Sequence, residues 1–256
     1  MSDTLESTIA ELKKDIAILE DNENRRREFI SNISHELKTP IALIQGYAEG
    51  LQEGVMDDED SRNMYLEVII DESQRMNRLV KELLTLNQLE REEDTVLENV
   101  DLNGLLRGVI DANTILFETN DIEVTYPDLS NELICLADEF LLEQVVNNYI
   151  SNAIHYSKAE DSDNKKRIDI KQTIKDDIVR VSVFNTGDNI SDKDIDQIWD
   201  KFYKVDKARS REYGGSGIGL SVVKAVMEKF KHKYGVINHA DGVEFFFELE
   251  INKQRI

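Results

Sequence analysis

The first 90 residues carry a helical pattern of apolar positions and almost no turn signals. Apolar residues recur at alternating steps of three and four, the spacing of the a and d positions of a coiled coil. The seam that they form consists of Ile9, Leu12, Ile16, Leu19, Ile30, Ile33, Leu37, Pro40, Ile44, Tyr47 and Leu51. A second stripe follows the acidic, turn-like segment 54–61 and consists of Tyr65, Ile69, Met76, Leu79, Leu83 and Leu86. Two helices cannot bury such narrow stripes alone, so the pattern predicts a helical hairpin that dimerises into a four-helix bundle.

From about residue 93 the apolar pattern changes to short alternating segments, which are typical of strands. The predicted strands are Val96–Leu102, Ile122–Tyr126, Leu133–Ala137, Arg167–Thr173, Ile178–Phe184 and Val243–Ile251. Helices are predicted between them near residues 103–118, 139–156, 192–199 and 218–231. The pattern predicts the α+β class, in three parts. These are a coiled-coil helix at 1–24, the helical hairpin at 25–92, and a two-layer sandwich of helices on a sheet at 93–256.

Composition and charge narrow the classes of function. The chain has 31 Lys and Arg against 52 Asp and Glu, a net charge of −21 that repels nucleic-acid phosphates, so we expect no nucleic-acid partner. No apolar run approaches the roughly 20 residues that cross a bilayer, and the N-terminus lacks the pattern of a signal peptide. The single cysteine, Cys135, excludes an internal disulfide, and its apolar neighbours predict a thiol packed in the core. These features predict a cytoplasmic protein.

His35 lies on the wrong side of its helix for a core residue. With Ile30 at position a and Ile33 at position d, it falls at position f, farthest from the seam. The register alone leaves a chance exposed histidine as an equal alternative. However, the carboxylate of the adjacent Glu36 can accept the proton of one ring nitrogen, which makes the other nitrogen a better nucleophile. Thr39, four residues on, lies on the same face of the helix as His35.

The segment FISNISHELKTPIALIQGY, residues 29–47, closely resembles the phosphoacceptor box of bacterial sensor histidine kinases. The resemblance implies that His35 is phosphorylated on a ring nitrogen and that Glu36 acts as the base. It also implies that Thr39 helps to position water when the enzyme works in reverse, as a phosphatase of its response regulator.

Polar residues of the second part can supply the phosphate donor. Asn148 and Asn152 are four apart on one face of a predicted helix, where their amides could offer oxygen ligands to Mg²⁺ and hydrogen-bond donors to phosphate. Further on, a glycine cluster at residues 214–219 opens the helix that begins near Ser221. Backbone amides at such a helix start can approach a phosphate closely, and the helix dipole favours the anion.

In their order along the chain, these segments and Asn185-Thr186-Gly187 resemble the N, G1 and G2 boxes of the ATP-binding domain of histidine kinases, gyrase and MutL. Residues 198–207 resemble the F box at the hinge of a mobile lid. We expect Trp199 and Phe202 of this segment to pack in the core and Lys204 to contact the triphosphate, while the roles of Lys207, Arg209 and Arg211 stay open. The resemblance implies binding of ATP and Mg²⁺ by Asn148, Asn152, His155, Tyr156, Asn185, Gly187, Lys204, Gly215, Gly217, Gly219 and Leu220, with Asn148 as the metal ligand.

Three positions depart from the family pattern. Asn185 replaces the usual Asp, so its contact with the adenine amino group should be weaker by about 1 kcal/mol. Since an amide can also donate, we expect reduced discrimination between ATP and GTP. His155 stands where Lys or Arg is usual, and the stretch 231–235 replaces a glycine-rich one, which we expect to concern entry into a strand.

The resemblance implies a homodimeric autokinase that passes phosphate from His35 to an aspartate of a response regulator. A simple ATPase of the same superfamily is the second hypothesis, but Asn148 and Gln144 stand where a water-activating carboxylate is needed. A pseudokinase that acts mainly as a phosphatase and a non-catalytic dimeric adaptor are the remaining alternatives. Kinases of this kind usually lie below a membrane-spanning sensor, so we expect the chain to be the cytoplasmic portion of a membrane protein whose sensor segment it lacks.

Overall fold

The computed structural model describes residues 2–54, 58–89, 96–159, 165–205 and 216–252. The chain divides into two compact units, Met1–Val80 and Lys81–Ile256. The division predicted at residues 92 and 93 lies outside the described residues and stays a prediction, as does that at residues 24 and 25. No helix among the described residues is both long enough and apolar enough to span a bilayer.

Two long helices, α1 (Ser2–Gln52) and α2 (Glu59–Leu89), form the predicted hairpin. Helix α1 runs without interruption through Pro40, which is buried. Gly54 turns the chain after α1 with a positive φ of 68°. The carboxylate of Asp58 accepts a hydrogen bond from the backbone N–H of Ser61 at 2.7 Å, which satisfies a free donor at the start of α2 and lowers the pKa of Asp58.

Close packing near the turn aligns the two helices. The rings of Tyr47 on α1 and Tyr65 on α2 meet edge to face, with centroids 4.7 Å apart. A Cβ atom at Gly50 would lie 2.8 Å from Cε1 of Tyr65, so only glycine leaves room for this ring. Farther from the turn, Leu12, Ile16, Leu19 and Ile30 of the seam are each more than half exposed in the single chain. These side chains need a partner to be buried.

The second unit is a two-layer α/β structure built on a five-stranded mixed sheet. The strands are β1 (Glu98–Asp101), β2 (Ile122–Thr125), β3 (Ile134–Ala137), β4 (Lys166–Lys175), β5 (Ile178–Thr186), β6 (Tyr234–Asn238) and β7 (Gly242–Glu250). The five-stranded sheet has the order β2-β4-β5-β7-β6, in which β2 and β4 are parallel and the other pairs antiparallel, and β1 pairs separately with β3. The helices are α3 (Leu102–Thr119), α4 (Glu139–Tyr156) and α5 (Gly219–Phe230).

One face of the sheet carries the core. Alternate residues of β5 and β7 are buried there with the apolar sides of the three helices, and the ring of Tyr149 on α4 packs against Phe245 and Phe247. On the opposite face, the guanidinium of Arg180 lies 4.1 Å from the ring centroid of Phe246, and that of Arg167 lies 5.3 Å from that of Phe184. Cys135 is fully buried on β3, which confirms its predicted place in the core.

Two predictions of secondary structure were wrong. The helix predicted at 192–199 is a series of turns that ends in one short 3₁₀ helix, Gln197–Trp199. There, Ser191 donates to the carboxylate of Asp194 at 2.5 Å, a local side-chain bond of the kind that competes with regular helix. Strand β6 was missed because its sequence does not alternate. As expected, the stretch 231–235 leads into this strand, with Lys231 ending α5 in the left-handed conformation at φ 60°.

Candidate functional site

His35 is exposed on α1, as its register predicts. The hydroxyl of Thr39, one turn later, donates to the backbone carbonyl of His35 at 3.4 Å, which keeps this side chain on the same face as the imidazole. The adjacent Glu36 is half-buried and faces α2, where its Oε2 lies 3.8 Å from Nη2 of Arg75. The hairpin therefore presents an imidazole to solvent with the hydroxyl-bearing Thr39 on the same face, while the carboxylate of the next residue is turned toward α2.

Helix α4 presents the predicted pair of asparagines on one half-buried face. The helix begins where the carboxylate of Asp138 caps the N–H of Leu141 at 3.0 Å. The Nδ2 of Asn148 donates to the carbonyl of Gln144 at 2.9 Å, so its Oδ1 is directed away from its own helix. That oxygen points at Gly219, where a side chain would collide with it. An uncharged oxygen ligand therefore lies directly beside the first residue of α5.

The glycine segment shapes the start of α5. Gly217 has a positive φ of 73°, and a Cβ atom there would lie 3.0 Å from the backbone of Phe202. The N–H of Phe202 donates to the carbonyl of Gly217 at 2.8 Å, which ties the F-box segment to the glycine segment. Because Ile218 offers no side-chain cap, the first-turn amides at Gly219 and Leu220 keep the partial positive charge that attracts phosphate. Gly215 lies outside the described residues.

Asn185 and Gly187 lie at the end of β5, on the other side of the candidate site. Asn185 is only 4% exposed, and its Nδ2 donates to the carbonyl of Thr186 at 3.1 Å. Since a carbonyl can only accept, this bond fixes which end of the amide carries the nitrogen and leaves Oδ1 as the free acceptor. Gly187 has a φ of 144°, and a Cβ atom there would lie 2.7 Å from the carbonyl oxygen of Tyr156. Glycine thus lets the end of β5 pass against the end of α4.

The remaining predicted residues have mixed surroundings. Asn152 is half-buried one turn beyond Asn148, whereas His155 and Tyr156 are exposed at the end of α4. The Nδ1 of His155 lies 2.6 Å from the carbonyl of Ser151, so that nitrogen carries the proton and the ring folds back on its own helix. Lys204 is half-buried. Lys207, Arg209 and Arg211, for which the sequence predicts no role, lie outside the described residues.

Of the aromatic residues of the F-box segment, Trp199 packs against other rings, as expected, and both Trp199 and Phe202 are half-buried. The ring of Trp199 meets that of Tyr234 at 4.8 Å and that of Phe245 at 6.1 Å, both edge to face. The hydroxyl of Tyr203 donates to Asp194 at 2.6 Å. Together with the bond from Ser191, this contact lowers the pKa of Asp194, and the bond to the carboxylate raises the pKa of Tyr203.

The charged residues that α2 places against Glu36 were not predicted from the sequence. Arg75 also lies 3.7 Å from Oε2 of Glu72, one turn earlier on the same helix. The position of Arg75 in the sequence could have indicated this contact. Arg75 directly precedes Met76 of the apolar stripe, so it lies at the edge of the surface that faces α1. Among the described residues, no group of three His, Cys, Asp or Glu side chains could hold a metal ion.

Two family models match the chain. Residues 25–92 match the His Kinase A (phospho-acceptor) domain, and residues 137–253 match the histidine kinase-, DNA gyrase B-, and HSP90-like ATPase family. The sensor protein kinase WalK of Staphylococcus haemolyticus is 34% identical over 209 residues, which cover 80% of this chain and 33% of that protein. The chain thus spans about a third of the length of this curated relative.

Solved structures resemble the chain over most of its length. Full-length ShkA in complex with AMPPNP has a TM-score of 0.62 and 25% identity, covering 86% of this chain and 45% of that one. The histidine kinase ThkA in complex with the response regulator protein TrrA has a TM-score of 0.66 and 24% identity, covering 93% of this chain and 67% of that one. This second similarity concerns the fold alone.

Proposed function

The chain belongs to the sensor histidine kinases, whose phospho-acceptor and ATP-binding regions it carries, and on that premise we propose that it phosphorylates His35 from ATP and passes the phosphoryl group to a response regulator. The observation that carries the proposal is the exposed imidazole of His35, which lies outside the apolar seam and is followed in the sequence by Glu36. Its surroundings leave the ring accessible to a phosphate donor.

The donor site is formed where α4, β5 and the start of α5 converge. The amides at the start of α5 bind phosphate oxygens through the helix dipole, and the half-buried Lys204 adds positive charge. Asn185 accepts a hydrogen bond from the adenine amino group through its free Oδ1. The Oδ1 of Asn148 fits a Mg²⁺ ligand because it makes no bond to its own helix and lies beside Gly219. Asn152 lies one turn on, on the same half-buried face of α4. When bound, Mg²⁺ neutralises charge on the phosphates.

The transfer step needs one nucleophile and one base. A ring nitrogen of His35 attacks the γ-phosphorus in line, a nitrogen–phosphorus bond forms, and the bond from phosphorus to the bridging oxygen of ADP breaks. Glu36 takes the proton from the opposite ring nitrogen, so the phosphorylated imidazole is neutral. The phosphoryl group then passes to an aspartate of the response regulator, and the freed imidazole recovers its proton.

Two further parts of the proposal concern partners and the reverse reaction. The exposed seam residues Leu12, Ile16, Leu19 and Ile30 support a homodimer, because a second copy would bury them. Thr39 supports a phosphatase activity toward the regulator, since its exposed oxygen can accept a hydrogen bond from water while its proton stays on the carbonyl of His35. ATP and response regulators are cytoplasmic, so the proposed function is cytoplasmic; a membrane sensor in the same protein stays a prediction.

The test is labelling with γ-labelled ATP and Mg²⁺. The wild-type chain should acquire label that is stable in alkali and lost in acid, His35→Gln should acquire none, and the exposed neighbour variant Ser34→Ala should label as the wild type does. Equal labelling of His35→Gln would refute the assignment of the nucleophile. Absence of label from the wild type, despite bound ATP, would leave the phosphatase-only alternative, which dephosphorylation of a phosphorylated regulator by the wild type and by Thr39→Ala would examine.

A further inference from the structure

Phe202 has a backbone conformation that residues with a side chain rarely adopt. Its φ of 64° lies in the left-handed region, where the Cβ atom of an L residue crowds the following carbonyl oxygen. A bulky aromatic residue persists there only when its surroundings hold it, and such residues occur mainly at functional sites. The contacts that hold Phe202 therefore indicate what its conformation serves.

One contact joins Phe202 to the glycine segment. Its N–H donates to the carbonyl of Gly217 at 2.8 Å. The two backbones are so close that a Cβ atom at Gly217 would lie 3.0 Å from Cα of Phe202 and 3.1 Å from the carbonyl oxygen of Tyr203. Gly217 directly precedes Ile218, which is fully buried where α5 begins. The left-handed turn at Phe202 therefore helps to fix the position of the first residues of α5.

The other contact joins the next residue of the chain to a buried carboxylate. The hydroxyl of Tyr203 donates to Oδ1 of Asp194 at 2.6 Å, and Oδ2 accepts from the hydroxyl of Ser191 at 2.5 Å. The backbone of Asp194 is bonded as well, because its N–H donates to the carbonyl of Ser191 at 2.8 Å and its carbonyl accepts from the N–H of Ile198 at 2.9 Å. Asp194 is thus a fixed point to which the tyrosine is attached.

The bond from Tyr203 to Asp194 does more than fill space. Removal of a carboxylate from water is costly, and apolar side chains could pack the same volume without that cost. What the hydroxyl adds is direction, because a hydrogen bond to a charged acceptor favours a narrow range of distances and angles, whereas apolar packing is non-directional. The bond therefore restricts the backbone of Tyr203, and with it the adjacent Phe202, more tightly than packing would.

We propose that the hydroxyl of Tyr203 is a positioning group for nucleotide binding. Its bond to Asp194 holds Phe202 in the left-handed conformation, and the N–H of Phe202 in turn holds Gly217. Without the hydroxyl, Phe202 relaxes toward a negative φ, and the amides at the start of α5 no longer keep one arrangement. Only the fraction of molecules that keeps this arrangement binds phosphate well, so the apparent affinity falls by that fraction. This inference rests on the proposed binding of phosphate by the start of α5.

The test measures the affinity of the full chain for the non-hydrolysable analogue AMPPNP with Mg²⁺, by isothermal titration well below the melting temperature of each variant. Tyr203→Phe should raise Kd about tenfold, because a strained residue loses one of the contacts that hold it. The matched control is Tyr126→Phe, which removes the hydroxyl of an exposed tyrosine and should bind as the wild type does. An unchanged Kd in Tyr203→Phe would overturn the inference.

A second background separates positioning from general support of the fold. Glycine adopts a positive φ about as readily as a negative one, so a glycine at position 202 does not depend on being held. In the Phe202→Gly background, adding Tyr203→Phe should therefore raise Kd by only about twofold. A tenfold rise in both backgrounds would show that the hydroxyl does not act through Phe202 and would refute the proposal. If Phe202→Gly fails to fold, Phe202→Asn takes its place, because asparagine also tolerates the left-handed region.

Hydrogen exchange provides a readout that needs no nucleotide. The N–H of Phe202 should exchange about tenfold faster in Tyr203→Phe than in the wild type, whereas the N–H of Val181, in an interior strand of the sheet, should be unaffected. Equal exchange at Phe202 in the two chains would overturn the positioning role even where ATP labels His35. If the wild type binds AMPPNP but takes no label from ATP, the proposed kinase activity fails and the positioning role stands. A wild type that binds no nucleotide would overturn both.

Discussion

Replacing Asn185 by aspartate should sharpen the selection of adenine at a cost in stability. In the wild type the amide donates to the carbonyl of Thr186 at 3.1 Å, which leaves Oδ1 to accept from the adenine amino group. Guanine presents a carbonyl at the same place, so it would require the amide to flip and give up that bond. One neutral hydrogen bond is worth about 1 kcal/mol, so we expect only about a fivefold preference for ATP over GTP from this residue.

A carboxylate at position 185 should change the affinity for ATP and the affinity for GTP in opposite directions. A hydrogen bond to a charged acceptor is about twice as strong, so ATP should bind about fivefold more tightly to Asn185→Asp. GTP should lose at least a further fivefold, because no donor remains to face its carbonyl. The ratio of the two dissociation constants should then exceed about 100. Since the carboxylate cannot donate to Thr186 and is almost fully buried, the variant should also be less stable by about 1–3 kcal/mol.

The assay is competition of ATP and GTP for the chain, with thermal unfolding measured in parallel without nucleotide. At about 2–4 °C per kcal/mol for a unit of this size, the melting temperature of Asn185→Asp should fall by several degrees. The control is Asn131→Asp, which makes the same change in an exposed loop and should alter neither the ratio nor the melting temperature. A wild type that binds GTP as tightly as ATP, or an unchanged ratio in Asn185→Asp, would refute the assignment of Asn185 as the residue that contacts the base.

Three further predictions follow from positions where the packing leaves no room or no solvent. Gly219→Ala should weaken ATP binding more than tenfold and lower the melting temperature less, because the added Cβ would displace Oδ1 of Asn148. Isothermal titration with ATP measures the affinity, and an unaltered value would contradict the placement of that oxygen. Gly187→Ala should lower the stability of the second unit by about 1–3 kcal/mol, since it combines an unfavourable φ with a contact of 2.7 Å to the carbonyl of Tyr156, and denaturant unfolding checks the size. Cys135 should react with a thiol reagent at pH 8 only after unfolding, because burial raises its pKa to about 12 and the thiolate is the reactive form; fast labelling of the native chain would argue against its burial.

The sequence predicted the elements with strong periodicity and the placement of residues that share one helical face. The seam of α1 placed His35 on the exposed side because a helical register fixes the direction of every side chain. The common face of Asn148 and Asn152 was likewise predictable, since four residues make about one helical turn. In contrast, the turns at 192–196 and strand β6 were not predictable from periodicity, because a bond between Ser191 and Asp194 and the left-handed conformation of Lys231 decide them.

Contacts across elements explain what the sequence could not reveal. No spacing rule connects Arg75 with Glu36, since they belong to different helices and meet only when the hairpin has its register. Similarly, the orientation of the Asn185 amide depends on the carbonyl of Thr186 in the folded strand. The sequence indicated that this amide could face either base, and the fold favours one of its two orientations.

The contact of Tyr65 with Gly50 and Tyr47 has a consequence for how the hairpin can evolve. A slip of one helical turn would shift α2 by about 5.4 Å and separate Glu36 from Arg75. Gly46, one turn before Gly50, also lacks a side chain, but a slip onto it would place Leu43 instead of Tyr47 beside the ring. The edge-to-face pair would be lost, at about 0.5–1.5 kcal/mol, so this packing disfavours the slipped pairing. The connection between residues 52 and 59 is thus not alone in setting the alignment of the two helices. Its sequence can therefore change among descendants without loss of the alignment, provided that the pair of tyrosines is kept.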